Sequence, residues 1–300
     1  AADRLATGFN GASGRVAIPP GPIDVITEAQ MQAFRDRGVI RLQEPLPDAI
    51  VKPVRDLCYE EFERQGLWGD GAWLGGRSAE LGSGLLKALK RRTKKAESFS
   101  ALETPVVLEA ARTLAGGRDL RALTNRPQIL FTPPNAKEWV LPHRIWHLDV
   151  PRLGGPGLPG VQMFSFIDSV RPRSGGTLVA LGSHRLLNDR GHIRSKDVKR
   201  VLRKEEPWFR DLLVPRDDDG DRFFVDTRVA GDIELRVLEL CGEPGDVFLM
   251  DLRMLHSLGP NASRKPRLMV TQRYFVESLF EQIQEAEDGD RGQGRPTEDL

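Results

Sequence analysis

Two side chains that can bind a metal ion, His147 and Asp149, stand two positions apart in the stretch RIWHLDVPR (144–152). The stretch predicts a β-strand, and residues i and i+2 of a strand point to the same face. An imidazole nitrogen and a carboxylate oxygen can then reach one ion without bending the backbone. A core histidine satisfied by a nearby carboxylate gives the same pattern, so the pair alone leaves both interpretations open.

His256 is the candidate for a third ligand. It follows a segment in which alternate residues are apolar, and these share its strand parity: Phe248, Met250, Leu252 and Met254. If those residues face the core, His256 faces it too. Two histidines and one carboxylate on a β scaffold form the facial triad of non-haem Fe(II) oxygenases, which leaves positions open for a cosubstrate and O₂. The same donor set also suits Zn²⁺.

Arg267 lies eleven positions after His256, beyond the turn-rich segment GPNASRKP, and begins the next predicted strand. We expect the two strands to be antiparallel neighbours, with the guanidinium on the same inner face as His256. An unpaired buried charge is very costly, so an inward arginine needs an anion. A dicarboxylate that chelates the metal at its other end meets this need, and so does a core carboxylate such as Asp251.

The elements that must position these residues change in type along the chain. The segment ITEAQMQAFRDRGVIRL (26–42) predicts a helix that is capped by Thr27 and ends at Gly38, followed by a short strand. Further helices are predicted over 49–65 and over 84–115, the latter broken near 98–100.

After about residue 126 short apolar runs alternate with Gly, Pro and Asn, which is typical of strands and turns. The strand-like segments are PQILFTPP, VQMFSFIDSV, GTLVALGSH, DIELRVLEL, GDVFLMD and RLMVTQRYF. Helices followed by several strands predict a mainly β protein, an antiparallel barrel or sandwich with helices packed outside.

The predicted organisation is one domain over residues 23–280. It is preceded by an irregular arm (1–22) rich in Gly, Ala and Pro. A polar helical insertion at about 186–230 interrupts the strands, and the polar tail (281–300) is expected to be disordered because it has no apolar period.

The composition indicates an ordinary globular protein. Apolar residues make up 39% and charged residues 29% of the chain, and the net charge of +1 gives no field that favours nucleic acid or an anionic membrane. No apolar run reaches the length of a membrane span, and no signal-peptide core is present. Cys58 and Cys241 are too few for a disulfide framework. The default expectation is a cytoplasmic location.

Four motifs resemble those of the phytanoyl-CoA dioxygenase family of Fe(II)/2-oxoglutarate-dependent oxygenases, and they occur in the same order as in that family. The helix and strand entry at 26–42 resembles the family's opening, and WHLD resembles its first two iron ligands. SGGTLVALGSHR (174–185) resembles the Gly-Ser-His stretch that follows. LHSLGPNASRKPR resembles the distal histidine and the 2-oxoglutarate arginine. The resemblance covers roughly residues 26–276.

The resemblance implies a double-stranded β-helix (jelly-roll) core in which His147, Asp149 and His256 bind Fe(II). Arg267 is then expected to bind the distal carboxylate of 2-oxoglutarate, with Gln128 and Thr132 near this cosubstrate. Relatives often carry Ser or Thr two places after the distal histidine as a second carboxylate contact, where this chain has Leu258. The same comparison favours a structural role in a turn for His184.

The function implied is a dioxygenase that uses O₂ to hydroxylate a C–H bond of a small organic metabolite, with succinate and CO₂ as coproducts. Related halogenases replace the carboxylate ligand with Gly or Ala, so the presence of Asp149 favours oxygenation. The alternatives are a non-catalytic jelly-roll sensor that binds a metal or a carboxylate, and a Zn²⁺ hydrolase. The sequence identifies neither the substrate nor the oligomeric state.

Overall fold

Two antiparallel β-sheets form the centre of the protein. The computed structural model describes residues 25–75, 84–135 and 139–292. A six-stranded sheet has the order β1-β10-β6-β12-β4, with β5 also paired to β12, and a four-stranded sheet has the order β11-β7-β9-β8. The strands are β1 Val39–Leu42, β2 Trp68–Gly69, β3 Ala72–Trp73, β4 Leu120–Ala122, β5 Gln128–Thr132, β6 Gly160–Phe166, β7 Thr177–Leu181, β8 Arg228–Ala230, β9 Ile233–Glu239, β10 Val247–Asp251, β11 His256–Leu258 and β12 Arg267–Val276.

Helices lie before β4 in sequence, in the interval between β7 and β8, and after β12. They are α1 Glu28–Arg37, α2 Asp48–Arg64, α3 Gly84–Thr93, α4 Glu97–Ser100, α5 Pro105–Leu114, α6 Ser195–Glu205, α7 Pro207–Leu212, α8 Arg222–Val225 and α9 Phe280–Gly292. In the described part of the chain, no helix combines the length and the apolar character that crossing a membrane requires.

The core follows from the alternation of side chains along the strands. In β6, Phe164 and Phe166 point between the two sheets, where they share an apolar cluster with Val179 and Leu181 of β7. Met163 points the other way, toward a second cluster that contains the buried faces of α2 and α5. The predicted fold class, a mainly β jelly-roll core with flanking helices, is confirmed. The two sheets remain separate and do not close into a barrel.

The entry to the fold agrees with the sequence prediction. The Thr27 hydroxyl accepts a hydrogen bond from the Gln30 backbone N–H, which caps α1. Gly38 ends the helix in the left-handed conformation with φ 81°. There it lies against Met254 and His184, which leaves no room for a larger residue.

We therefore expect Gly38→Ala to lower the free energy of unfolding by about 2–4 kcal/mol. A Cβ at this position would overlap Met254 Sδ and lie 2.6 Å from His184 Nδ1, in addition to the strain of a positive φ. Urea denaturation measures the loss. Gly116 is the matched control, because it has φ 71° with nothing within 4 Å of its Cβ position. Equal losses for the two variants would contradict the packing argument.

Three expectations about local structure are wrong. The stretch 144–152 is not a regular strand: it contributes two isolated bridges, His147 with His256 and Arg152 with Ile193. The strands that carry His256 and Arg267 are not neighbours, since β11 belongs to the four-stranded sheet and β12 to the six-stranded one. The tail begins as helix α9, because Phe280 and Ile283 are buried against an apolar cluster.

Parts of the predicted organisation lie outside the described residues. These parts are the N-terminal arm (1–22) and the end of the tail (293–300). Within the predicted insertion, the interval 186–230 contains α6, α7 and α8. The division into a single domain over 23–280 stays a prediction.

Candidate active site

The three predicted metal ligands lie together at one end of the space between the sheets. His147 Nε2 is 3.6 Å from Asp149 Oδ1, and His256 Nε2 is 3.7 Å from Asp149 Oδ2. One ligand atom from each residue lies within 4.8 Å of the others. With metal–ligand bonds of about 2.1 Å, neighbouring donors around one ion are roughly 3–3.5 Å apart. The cluster therefore needs only small adjustments to hold one ion.

Backbone hydrogen bonds bring the two histidines side by side, although His147 does not belong to a regular strand. The His147 N–H donates to the His256 carbonyl at 2.8 Å, and the His256 N–H donates back at 3.1 Å. Their ring centroids are 4.4 Å apart. The prediction that His147 and Asp149 share a face is thus met by an isolated bridge and the turn after it.

Both imidazoles present the same nitrogen to the carboxylate. His147 Nδ1 lies 2.9 Å from the Ile145 carbonyl, and His256 Nδ1 lies 3.0 Å from the Met254 carbonyl. Because a carbonyl only accepts hydrogen bonds, each Nδ1 carries the proton and each Nε2 of the neutral ring keeps its lone pair. Backbone partners of this kind fix the tautomer and orientation of metal-ligating histidines. Two lone pairs and a carboxylate that face one another form a donor set suited to a cation.

The charges around Asp149 keep it ionised. Burial acts to raise the pKa of the Asp149 carboxyl, but His256, His147 and Arg273 outweigh burial and hold the pKa well below its usual range. Burial lowers the pKa of His256, which favours the neutral, ligating imidazole. Burial acts in the same direction on His147, but there the adjacent Asp149 carboxylate outweighs it and raises the pKa. A metal ion would replace the proton that this carboxylate attracts.

Arg267 points from the opposite sheet into the same space and is 2% exposed. Its Nη2 donates to the Thr132 hydroxyl at 2.5 Å. Its Nε has no hydrogen-bond partner among the described residues. Burial lowers the pKa of Arg267 to about 10, which leaves the guanidinium charged near neutral pH. The nearby Glu239 instead accepts hydrogen bonds from the Arg173 and Gly176 N–H groups.

The proposed protein partner for Arg267 is wrong. Asp251 forms a buried ion pair with Arg253, at 2.7 Å between its Oδ2 and Nη2. Within the described ranges, no carboxylate forms an ion pair with Arg267. The buried guanidinium therefore lacks the anion that its burial calls for.

The other predicted residues are placed differently. Thr132 contacts Arg267, whereas Gln128 lies exposed at the start of β5, opposite Thr271 in the sheet register. Gln128 has the same strand parity as Thr132, but its side chain makes no hydrogen bond with another described residue. The His184 Nε2 lies 2.9 Å from the Arg35 carbonyl at the end of α1, apart from the ligand cluster.

Sequence reasoning missed three polar side chains beside Asp149. Gln162 Nε2 donates to Asp149 Oδ2 at 3.1 Å, and Arg273 Nη1 lies 3.6 Å from the same oxygen. Thr271 contacts the Gln162 amide at 3.1 Å. Each belongs to a mostly buried strand and has inward parity, which is a signal that the sequence does contain.

Comparisons with solved structures agree with the fold. EctD from S. alaskensis with bound Fe is 16% identical, covers 88% of this chain and 81% of its own, and has a TM-score of 0.50. EvdMO1 is 19% identical, with 83% and 50% covered and a TM-score of 0.51. The carbocyclase SnoK from nogalamycin biosynthesis is 17% identical, with 85% and 87% covered and a TM-score of 0.48. At these identities the likeness to EctD and EvdMO1 concerns the fold alone.

No curated protein sequence matches the chain significantly. The family model described as phytanoyl-CoA dioxygenase (PhyH) matches residues 34–269, well over half of the 300 residues. The chain therefore belongs to the phytanoyl-CoA dioxygenase family of oxygenases, whose metal and cosubstrate are the Fe(II) and 2-oxoglutarate expected from its sequence.

Proposed function

We propose that the protein hydroxylates a C–H bond of a small organic molecule, with Fe(II) held by His147, Asp149 and His256. Arg267 binds the distal carboxylate of 2-oxoglutarate. When bound, the metal and cosubstrate supply the activation of O₂, and 2-oxoglutarate leaves as succinate and CO₂. The chain's own residues bind, orient and shield these groups.

One observation carries the proposal: the site holds two unmet electrostatic demands at once. The Nε2 lone pairs of His147 and His256 converge on a carboxylate and call for a cation. The buried guanidinium of Arg267 calls for an anion. A metal ion chelated by a dicarboxylate meets both demands in one complex.

The presence of Asp149 supports hydroxylation as the outcome. A carboxylate ligand fills the position that chloride takes in related halogenases. The His147 side chain is 47% exposed while that of His256 is 6% exposed. A metal held by these residues would be reached from the side of His147, and we propose that the substrate approaches there.

Thr132 supplies the second contact to the distal carboxylate, because Leu258 has no polar side chain. The Thr132 oxygen accepts from Arg267 and can donate its own proton to the anion. The neighbouring Ser257 hydroxyl instead donates to the Leu258 carbonyl.

We expect Thr132→Val to raise the KM for 2-oxoglutarate by roughly tenfold, the effect of one lost hydrogen bond, with little change in kcat. Steady-state succinate release measures both constants. Thr132→Ser, which keeps the hydroxyl, should behave like the wild type. An unchanged KM in Thr132→Val would show that another group makes this contact.

The function is tested by two measurements on the purified protein. Anaerobic addition of Fe(II) and 2-oxoglutarate should produce a visible absorption band that is missing in Arg267→Ala, a result that Zn²⁺ chemistry does not give. Addition of O₂ and a library of small metabolites should then release succinate with at least one of them. A band without turnover on any metabolite would favour a binding protein over an enzyme.

A further inference from the structure

The two oxygens of the Asp149 carboxylate have different surroundings. Oδ1 faces His147 Nε2 at 3.6 Å. Oδ2 lies 3.7 Å from His256 Nε2, accepts a hydrogen bond from Gln162 Nε2 at 3.1 Å and lies 3.6 Å from Arg273 Nη1. Each oxygen thus faces one histidine, but Gln162 and Arg273 supply a hydrogen-bond donor and a positive charge to Oδ2 alone.

Gln162 is itself held in one orientation. A carboxylate only accepts hydrogen bonds, so the Gln162 NH₂ group must be the atom that faces Asp149. The second N–H of that group donates to the Thr271 hydroxyl at 3.1 Å, and Thr271 donates to the Met163 carbonyl at 2.9 Å. The result is a chain of hydrogen bonds that begins at the β6 backbone and ends at Asp149 Oδ2.

We propose that Gln162, oriented by Thr271, and Arg273 are positioning residues that make Asp149 a single-oxygen metal ligand through Oδ1. This inference rests on the proposed metal site. An octahedral metal ion would have about six coordination positions. Three protein donors and a chelating cosubstrate would leave one of these positions for O₂. A carboxylate that binds through both oxygens would fill that position, and occupation of Oδ2 by Gln162 and Arg273 prevents this.

A purely structural role explains Gln162 less well. It is 3% exposed in the strand GVQMFSF, where an apolar residue would pack without the cost of burying an amide. Its Oε1 has no hydrogen-bond partner among the described residues.

The test compares the Fe(II) affinity of the folded protein under anaerobic conditions. We expect Gln162→Leu to weaken the Kd for Fe(II) roughly 10- to 100-fold, the range seen when a partner behind a metal ligand is removed. The thermal midpoint of its apoprotein should change little. Thr271→Val should weaken the Kd to a smaller degree, and Thr271→Ser, which keeps the hydroxyl, should restore it.

Gln272→Leu is the matched control. Gln272 follows Thr271 in β12 and is about as buried as Gln162. It points to the opposite face of the sheet, where it donates to the Thr124 carbonyl at 2.7 Å. Its replacement should lower the thermal midpoint and leave the Kd for Fe(II) unchanged.

The inference and the proposed function fail in different ways. If Gln162→Leu binds Fe(II) as tightly as the wild type, the inference is overturned whatever the turnover. If the wild type binds Fe(II) and Gln162→Leu has lost affinity, the inference holds even when no succinate forms, and then the proposed function is what fails.

Discussion

We expect Arg267→Met to abolish most 2-oxoglutarate binding and at the same time to stabilise the apoprotein. The guanidinium supplies the charge that pairs with the distal carboxylate in a site 2% exposed. Loss of one partner from a buried ion pair costs about 3–5 kcal/mol, so kcat/KM for 2-oxoglutarate should fall about 10²- to 10⁴-fold. Succinate release at varied 2-oxoglutarate concentration measures the fall.

The gain in stability has the same cause. Without cosubstrate the buried guanidinium has the Thr132 hydroxyl and no ion-pair partner in the described part of the chain. Met has a similar length and packs well beside the neighbouring Met269. The free energy of unfolding of the Arg267→Met variant should therefore exceed that of the wild type by about 1–4 kcal/mol. Urea denaturation of the two apoproteins tests this.

Arg253→Met is the opposite case and serves as the control. Arg253 is also buried, but it forms an ion pair with Asp251 at 2.7 Å. Its loss leaves that carboxylate buried and unpaired and should destabilise the protein by about 3–5 kcal/mol. If both arginine variants lost stability alike, Arg267 would have a structural partner and the cosubstrate assignment would weaken.

Local chemistry made part of the fold predictable. Thr27 and Gly38 mark the ends of α1 because capping and a left-handed residue are properties of a few neighbouring atoms. The strands after residue 126 follow in the same way from apolar runs between turns. The convergence of His147, Asp149 and His256 was predicted on residue type and parity, and the structure brings all three together.

Long-range pairing made the rest unpredictable. Whether β12 pairs with β11 or with β6 depends on the sheet to which each strand belongs. The turn-rich segment between β11 and β12 contains no information about this choice. The stretch 144–152 has the pattern of a strand, yet in the structure it pairs through two isolated bridges, His147 with His256 and Arg152 with Ile193. Gln162 went unnoticed because its partner Asp149 is distant in sequence and reached only through the fold.

Asp149→Ala should remove both metal binding and turnover. Asp149 is the anionic member of the ligand set, and its charge offsets the positive charges of the metal and of Arg273. We expect the affinity for Fe(II) to fall at least about 100-fold, since even partners behind a ligand contribute 10- to 100-fold. Succinate formation should fall below detection.

Thermal unfolding with and without metal gives a measurement that does not depend on a known substrate. A ligand at 100 times its Kd stabilises the folded state by about 2.7 kcal/mol. The wild type should therefore show a clear rise in Tm on anaerobic addition of Fe(II), and Asp149→Ala should show none. Asp168→Ala is the control: its carboxylate accepts from Tyr59 at 2.5 Å outside the ligand cluster, so it should lower Tm yet keep the metal-dependent rise. A rise that persists in Asp149→Ala would mean that the metal is bound elsewhere, because the remaining His147 and His256 lack the charge to hold it at that concentration.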